Sequence, residues 1–391
     1  MNDMVHLHNH TDFSLLDGAQ RCSDLAKRCK EMGHVAVAQT DHGTMRGFFK
    51  FFRACEKAGI KPIYGMEAYL CRDRHKRGLD PSEIESATNG ISGKKQQKEA
   101  VKDAEKQVGV RERFHTCLFA KNDVGLRNLF KLSSIGWLEG FYYRPRIDLE
   151  SIIQYREGLV LTSACTSGIL AHLLNKGQEE EMIALAENLK SIFADDFFLE
   201  IMPHDFDQQR EVNTAIVKIG DVLDIPIVAT NDAHYALAEH WQLHDVLLAM
   251  QTKAVWSDPK RWHFTGRDFY LKSRQEMEES FARAHPDIPS DVVAASLDNT
   301  LLVAEKCDVH VVADSKQCLL PHVDIAERHR IEFLEWATEM YPELYLDEGD
   351  VPSVPCACDS EAPSIVSDRD DDGDVPEMAA AEAEAARGGV A

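Results

Sequence analysis

From the N-terminus to about residue 235, short β-branched or apolar runs alternate with amphipathic stretches. The runs Met4–His8, Val35–Gln39, Pro62–Leu70, His115–Ala120, Leu159–Ser163, Phe197–Met202 and Ile225–Thr230 have the length and composition of strands, which predicts seven of them. The intervening segments space their apolar residues as helices do, for example SDLAKRCKEMG, GFFKFFRACEKAG and REVNTAIVKIGDVL. Several end in glycine, which adopts the left-handed angles of a helix C-terminus without steric cost. Such alternation predicts an α/β fold, either a βα barrel or a doubly wound sheet. A barrel would carry its site on the loops that follow the strands.

Three segments break the alternation. Residues 72–113 hold eleven basic and eight acidic side chains with few large apolar ones, and read as a surface excursion with one helix at about Lys94–Val108. Beyond residue 240 the pattern turns mostly helical (EHWQLHDVLLAMQ, SRQEMEESFARA, SDVVAASLDNTLLVAEKC), which predicts a small helical extension over 241–346. Residues 347–391 mix Pro, Gly, Ala and carboxylates with almost no large apolar residue after Val366, and are expected to be a disordered acidic tail.

The charge, −23 from 43 Lys and Arg against 66 Asp and Glu, argues against a main grip on nucleic acid that is electrostatic. About half of it is local, because residues 347–391 carry thirteen carboxylates against Arg369 and Arg387. A hydrophobic content of 44% is enough for a real core, and no apolar run approaches the roughly 20 residues of a membrane helix. The first residues lack the basic start and apolar stretch of a signal peptide, so a cytoplasmic location with ten reduced cysteines is expected.

The chemistry gathers at the strands. MVHLHNHTDFSLLDG puts His6, His8 and His10 at period two, on one face of an extended segment, with Asp17 on the next loop. Asp41 and His42 follow the second strand, Glu67 lies in the third, His115 opens the fourth, Cys165 follows the fifth, and Asp232 and His234 follow the last. Taken singly, each has an ordinary explanation. A lone His-x-His is more often structural, Asp41-His42 and Asp232-x-His234 could be turn chemistry, and a single cysteine is more often a small buried residue. Delivery by successive strands of one pattern is what favours metal ligation. Imidazole, thiolate and carboxylate all bind Zn²⁺, and the carboxylates also suit Mn²⁺ or Mg²⁺. So many ligands suit two or three ions rather than one.

HLHNHTDFSLLDG, TDHG, GIKPIYGMEAYL, LEGFYYRPRID and IPIVATNDAHY resemble the PHP (polymerase and histidinol phosphatase) domain at the N-terminus of the bacterial DNA polymerase III alpha subunit. The likeness continues through DVLLAMQTKAVWSDPKRWHFTGRDFYLKSRQEM and NTLLVAEKCDV, to cover about residues 4–322. It implies a distorted seven-stranded βα barrel over 1–240, with 72–113 as an insertion, and an extension similar to the start of the polymerase palm. It also implies nine metal ligands: His8, His10, Asp17, His42, Glu67, His115, Cys165, Asp232 and His234. His6 would fill the site only if the register shifted by two. His115 stands at the wrong end for a parallel barrel strand, so either that strand runs differently or another residue, His75 being nearest, takes the place.

The implied activity is metal-dependent hydrolysis of phosphodiesters at a DNA 3′ end, a proofreading exonuclease using two or three Zn²⁺ or Mn²⁺ ions. Glu67 and Asp232 would bridge ions, and His234 would join them in catalysis, with Asp41 as a supporting residue. Arg144, Arg146 and His204 are candidates for the substrate phosphate. Palm carboxylates are not recognisable, so polymerisation would need a separate palm-containing chain. Two alternatives stand beside the exonuclease: the N-terminal piece of a split polymerase that docks on such a chain or on other replisome subunits, and a small-molecule phosphatase.

Overall fold

A computed structural model of the chain describes residues 4–311, together with positions 331, 332, 335 and 336. The chain up to Val311 forms one compact unit. Of the remainder, only a short helical stretch at 331–332 and 335–336 is described, so the expected acidic tail and most of the expected extension after Val311 lie outside the described residues.

The fold is mixed α/β, with a curled seven-stranded sheet: β1 (Ala36–Gln39), β2 (Lys61–Cys71), β3 (Phe114–Ala120), β4 (Arg146–Asp148), β5 (Leu159–Thr162), β6 (Phe197–Ile201) and β7 (Ile227–Ala229). The helices are α1 (Cys22–Glu31), α2 (Phe48–Ala58), α3 (Pro81–Thr88), α4 (Lys94–Val108), α5 (Asp123–Leu138), α6 (Leu149–Gln154), α7 (Ile169–Asn175), α8 (Glu179–Phe193), α9 (Asp207–Leu223), α10 (Trp241–Gln251), α11 (Arg274–Ala284) and α12 (Ser290–Lys306). The sheet order is β1-β2-β3-β5-β6-β7, with β4 paired to the far half of β2. All pairings are parallel except those of β3, which runs against both β2 and β5.

The count of seven agrees with the sequence, but two members differ. Met4–His8 is extended without forming a ladder strand. Ala38 N–H donates to the His6 carbonyl (2.9 Å) and Thr40 N–H to Asn9 (3.0 Å) on one side; His10 N–H donates to Ala233 (2.8 Å), and Ala233 N–H to His8 (3.0 Å), on the other. This strip joins the two edges of the sheet and closes the barrel. The Asn9 amide, donating to the His6 and Ala38 carbonyls, takes the place of regular ladder bonds. The seventh strand is instead Arg146–Asp148, whose three residues are too few to show a period.

The excursion at 72–113 contains two helices. Lys94–Val108 is helical as expected and ends at Gly109 in the left-handed conformation, while Pro81–Thr88 is additional. Asp80 caps that second helix by accepting from Glu83 N–H, with Pro81 at its first position.

Helices α10–α12 belong to the same compact unit as the barrel, so a boundary near residue 240 does not divide the packing. Val303, Ala304 and Cys307 of α12 and its end pack with the inward apolar residues Leu7, Ala38, Phe119, Val160, Phe198 and Val228. Asn299 donates to the Ile227 carbonyl, Lys61 to Ala304, and Asp308 N–H to Lys121. Each of these anchors sits where a parallel strand begins or where β3 ends, so α12 plugs that end of the barrel. Among the described residues no helix is long and apolar enough to cross a membrane.

Candidate metal centre

The opposite end of the barrel carries the candidate ligands. His42 follows β1 and pairs in parallel with Glu67 of β2; Cys165 follows β5; Asp232 and His234 follow β7. His115 opens β3, and because β3 is reversed its first residues lie at this same end. The strand direction, not a substitute residue, resolves the placement of His115. His75 is exposed on the excursion and joins no cluster.

Glu67 is the hub. Its Oε1 lies 2.7 Å from His115 Nδ1 and 3.1 Å from His8 Nε2, and its Oε2 lies 2.5 Å from His42 Nδ1. Asp232 Oδ1 lies 3.0 Å from His10 Nε2 and 3.3 Å from His8 Nε2. Asp17 Oδ2 lies 3.0 Å from His42 Nε2, and its Oδ1 is 3.5 Å from His234 Nε2. Cys165 Sγ stands 3.6 Å from His115 Nδ1 and 4.0 Å from Glu67 Oε1. All nine residues expected from sequence therefore gather in one cluster.

His10 Nε2, Asp17 Oδ1, His42 Nδ1, Glu67 Oε2, Asp232 Oδ1 and His234 Nε2 are buried, yet none makes a well-aligned hydrogen bond. Buried polar atoms ordinarily find partners, because leaving one bare costs about 1–3 kcal/mol. These atoms crowd together without hydrogen-bond alignment, as ligands aimed at a shared cation would. Imidazole, carboxylate and one thiol form a donor set that fits such ions.

The electrostatics agree. Burial would raise the Glu67 carboxyl, but His115, His42 and His8 hold it well below the usual range. Burial lowers the His8 imidazole, yet Cys117, Asp232, Glu200 and Glu67 outweigh it and leave it well above its ordinary value. His42 behaves alike, raised by Tyr69, Glu67 and Asp17 against burial. His10 is pushed down to about 3 by burial, then by His42 and His234. Imidazole and carboxylate groups thus favour each other's charged forms across the cluster. Burial, with Asp232 and Glu67, raises the Cys165 thiol.

The backbone is strained at the same place. Asp232 itself has φ +46°, and Leu16 (φ +62°), Tyr143 (φ +61°) and Ala164 (φ +58°) directly precede Asp17, Arg144 and Cys165. Left-handed angles at non-glycine residues cost about 1–3 kcal/mol and collect at functional sites. Gly18 is required beside Asp17, since a Cβ there would meet the Thr11 carbonyl oxygen at 1.9 Å. Asp41 faces away from the cluster and accepts from Thr11 N–H, Thr11 Oγ1, Ser14 Oγ and Gln39 Nε2, which fixes the His10–Ser14 turn. His6 also turns away, its Nε2 on the Lys272 carbonyl at 2.8 Å.

Three participants escaped the sequence reading. Glu200, inside β6, contacts His8 Nδ1 at 2.7 Å and accepts from Thr162 and Thr230, so it orients the His8 ring. A carboxylate within the apolar run FFLEIM was its signal. Cys117, in β3, lies 3.6 Å from His8 Nδ1. His244 of α10 approaches Asp17 from outside the barrel.

The centre opens into a cleft of about 470 Å³, lined in part by Arg113, Arg144, His204, Trp262 and Phe264. Arg146 is not available to a phosphate. It is fully buried, and its guanidinium donates to the carbonyls of Gly140, Val110, Arg74 and Lys76. His204 keeps a bare Nε2, with its ring stacked on Phe269.

Residues 6–204 match the PHP domain family model. Similar curated proteins include the DNA polymerase III alpha subunits of Borreliella burgdorferi (38% identical over 305 residues, 78% of this chain and 24% of that protein) and Campylobacter jejuni (35% over 321 residues, 80% and 24%). The alpha subunit of Saccharopolyspora erythraea is 35% identical over 353 residues, 89% of this chain and 28% of that protein. The chain thus spans about a quarter of the length of the curated relatives it matches.

Proposed function

We propose that this chain, which belongs to the PHP domain family, is a metal-dependent phosphoesterase that removes nucleotides from a DNA 3′ end. The observation that carries this reading is the convergence of buried, unbonded ligand atoms beneath one open cleft. His8, His10, Asp17, His42, Glu67, His115, Cys165, Asp232 and His234 would hold two or three divalent ions, Zn²⁺ or Mn²⁺. Such ions, when bound, supply an activated water and neutralise charge on a phosphoryl oxygen.

The chain's own residues do the rest. Glu67 and Asp232, each contacting two or more histidines, keep the ligands gathered, while Glu200 fixes the His8 ring. Arg113 and Arg144 line the cleft and would hold phosphate oxygens, with His204 Nε2 as a further donor. Trp262, 54% exposed and lining the cleft, would stack on a base of a single strand.

The test is degradation of a 3′-labelled single strand by the purified chain with Mn²⁺, beside Asp232→Ala. Wild type should shorten the strand, and the variant should be slower by more than about a hundredfold. Equal rates in the two proteins, with contaminating nuclease excluded, would overturn the assignment; faster release of phosphate from a small monoester would redirect it to a phosphatase.

A second reading rests on the likeness to DNA polymerase III alpha subunits. Here the chain acts mainly as a scaffold, and its metals stabilise a surface that docks on a palm-containing partner. Metal content close to stoichiometric, with no hydrolysis of DNA and co-purification of such a chain, is its expected outcome.

A further inference from the structure

We propose that His244 is an additional metal ligand, which with Asp17 and His234 forms an outer site of the cluster and ties helix α10 to it. This rests on the metal-centre reading above, and concerns a residue beyond the stretch that matches the family model.

His244 is 4% exposed, and its Nε2 makes no well-aligned hydrogen bond. That atom lies 3.5 Å from Asp17 Oδ1, which is equally bare, and Asp17 Oδ1 lies 3.5 Å from the bare Nε2 of His234. All three atoms lie within 4.8 Å of one another. A separation of 3.5 Å is too long for a good N–H···O bond. It does fit two donors on one ion, since ligand atoms at about 2.0–2.2 Å and tetrahedral angles stand about 3.3–3.6 Å apart.

An ordinary core histidine would explain the burial but not the direction. Phe264 meets the ring edge-on at 4.8 Å, His234 lies at 5.1 Å and Tyr235 at 5.4 Å, so aromatic neighbours hold the ring while its Nε2 faces a carboxylate oxygen that also lacks a partner. Two bare nitrogens flanking one bare oxygen is the arrangement a cation would satisfy. Asp17 is then shared, its other oxygen facing His42.

The experiment loads the full chain with Co²⁺ and measures bound metal by elemental analysis and the visible and near-ultraviolet spectrum. His244→Ala should lose one equivalent, or bind its weakest ion at least about tenfold less tightly. His244→Cys should retain that equivalent and add thiolate-to-cobalt absorption beyond that of wild type. His240→Ala, at the start of the same helix, should match wild type. Should His244→Ala fail to fold by circular dichroism, the added absorption of His244→Cys decides alone. Unchanged stoichiometry and affinity in folded His244→Ala, or no added absorption in His244→Cys, overturns the assignment while wild type still fills its centre. A wild-type chain that binds no Co²⁺ overturns the metal centre and His244 with it.

Discussion

The two ends of the barrel are built on opposite terms. At the end plugged by α12, apolar side chains interlock and the polar groups named above are paired: Asn299 on Ile227, Lys61 on Ala304, Asp308 on Lys121. At the other end, buried nitrogens and oxygens face one another without well-aligned hydrogen bonds, histidine rings stack on one another, and left-handed residues adjoin the candidate ligands. The first arrangement is held by packing and paired polar groups, whereas the second gathers strained backbone and poorly aligned donors and acceptors that a bound cation would satisfy. The contrast separates the residues that pack the barrel from those gathered as candidate ligands.

Substitutions should divide along that line. The loss of hydrolysis in Asp232→Ala is the largest effect expected, and it belongs wholly to the open end. Next comes Val303→Ala in α12, where a fully buried side chain of the plug is truncated. It should cost about 1–3 kcal/mol of unfolding free energy in denaturant titrations and leave metal content per folded chain unchanged. A matching loss of metal would show that the ends are not independent.

A smaller effect concerns protons. His8 and His42 are held above the ordinary imidazole value in the metal-free chain, and each must lose its proton before it can ligate. Metal uptake should therefore release protons, and affinity should rise with pH, by up to about tenfold per pH unit for each proton released. Calorimetry in buffers of different ionisation enthalpy measures the number, and none released would contradict the charge balance described here. Smallest is Trp262→Ala at the rim. It should raise KM for a single-stranded oligonucleotide several-fold to about tenfold, with kcat little changed.

Much of this was legible in the chain, and the exceptions have physical causes. Val35–Gln39, Leu159–Ser163 and Phe197–Met202 announce strands because buried parallel strands are nearly continuous apolar runs. The helix at Lys94–Val108 is bounded by Gly93 and Gly109. Periodicity does not encode direction, so the reversal of β3 showed only as a histidine at the unexpected end of FHTCLFA. The gathering of the candidate ligands was readable because successive strands supplied them. His244 was not, because one histidine in an amphipathic helix looks like any other, and its role depends on how α10 meets the rim. Arg146 misled in the other direction: it was a candidate for the substrate phosphate, yet its donors are consumed by four carbonyls.

The reversed strand has one more consequence. Leu70 is paired with Phe114, so the chain leaves β2 and enters β3 at neighbouring points on the rim of the open end. Residues 72–113 are in effect the turn of a β-hairpin, grown to about forty residues and pinned where Arg146 gathers the carbonyls of Arg74, Lys76 and Val110. A turn closed at its base can lengthen or shorten at little entropic cost, because the closure term grows only with the logarithm of its length. The barrel thus carries, beside its candidate metal centre, a position at which new material can be tried without disturbing either the plug or the candidate ligands.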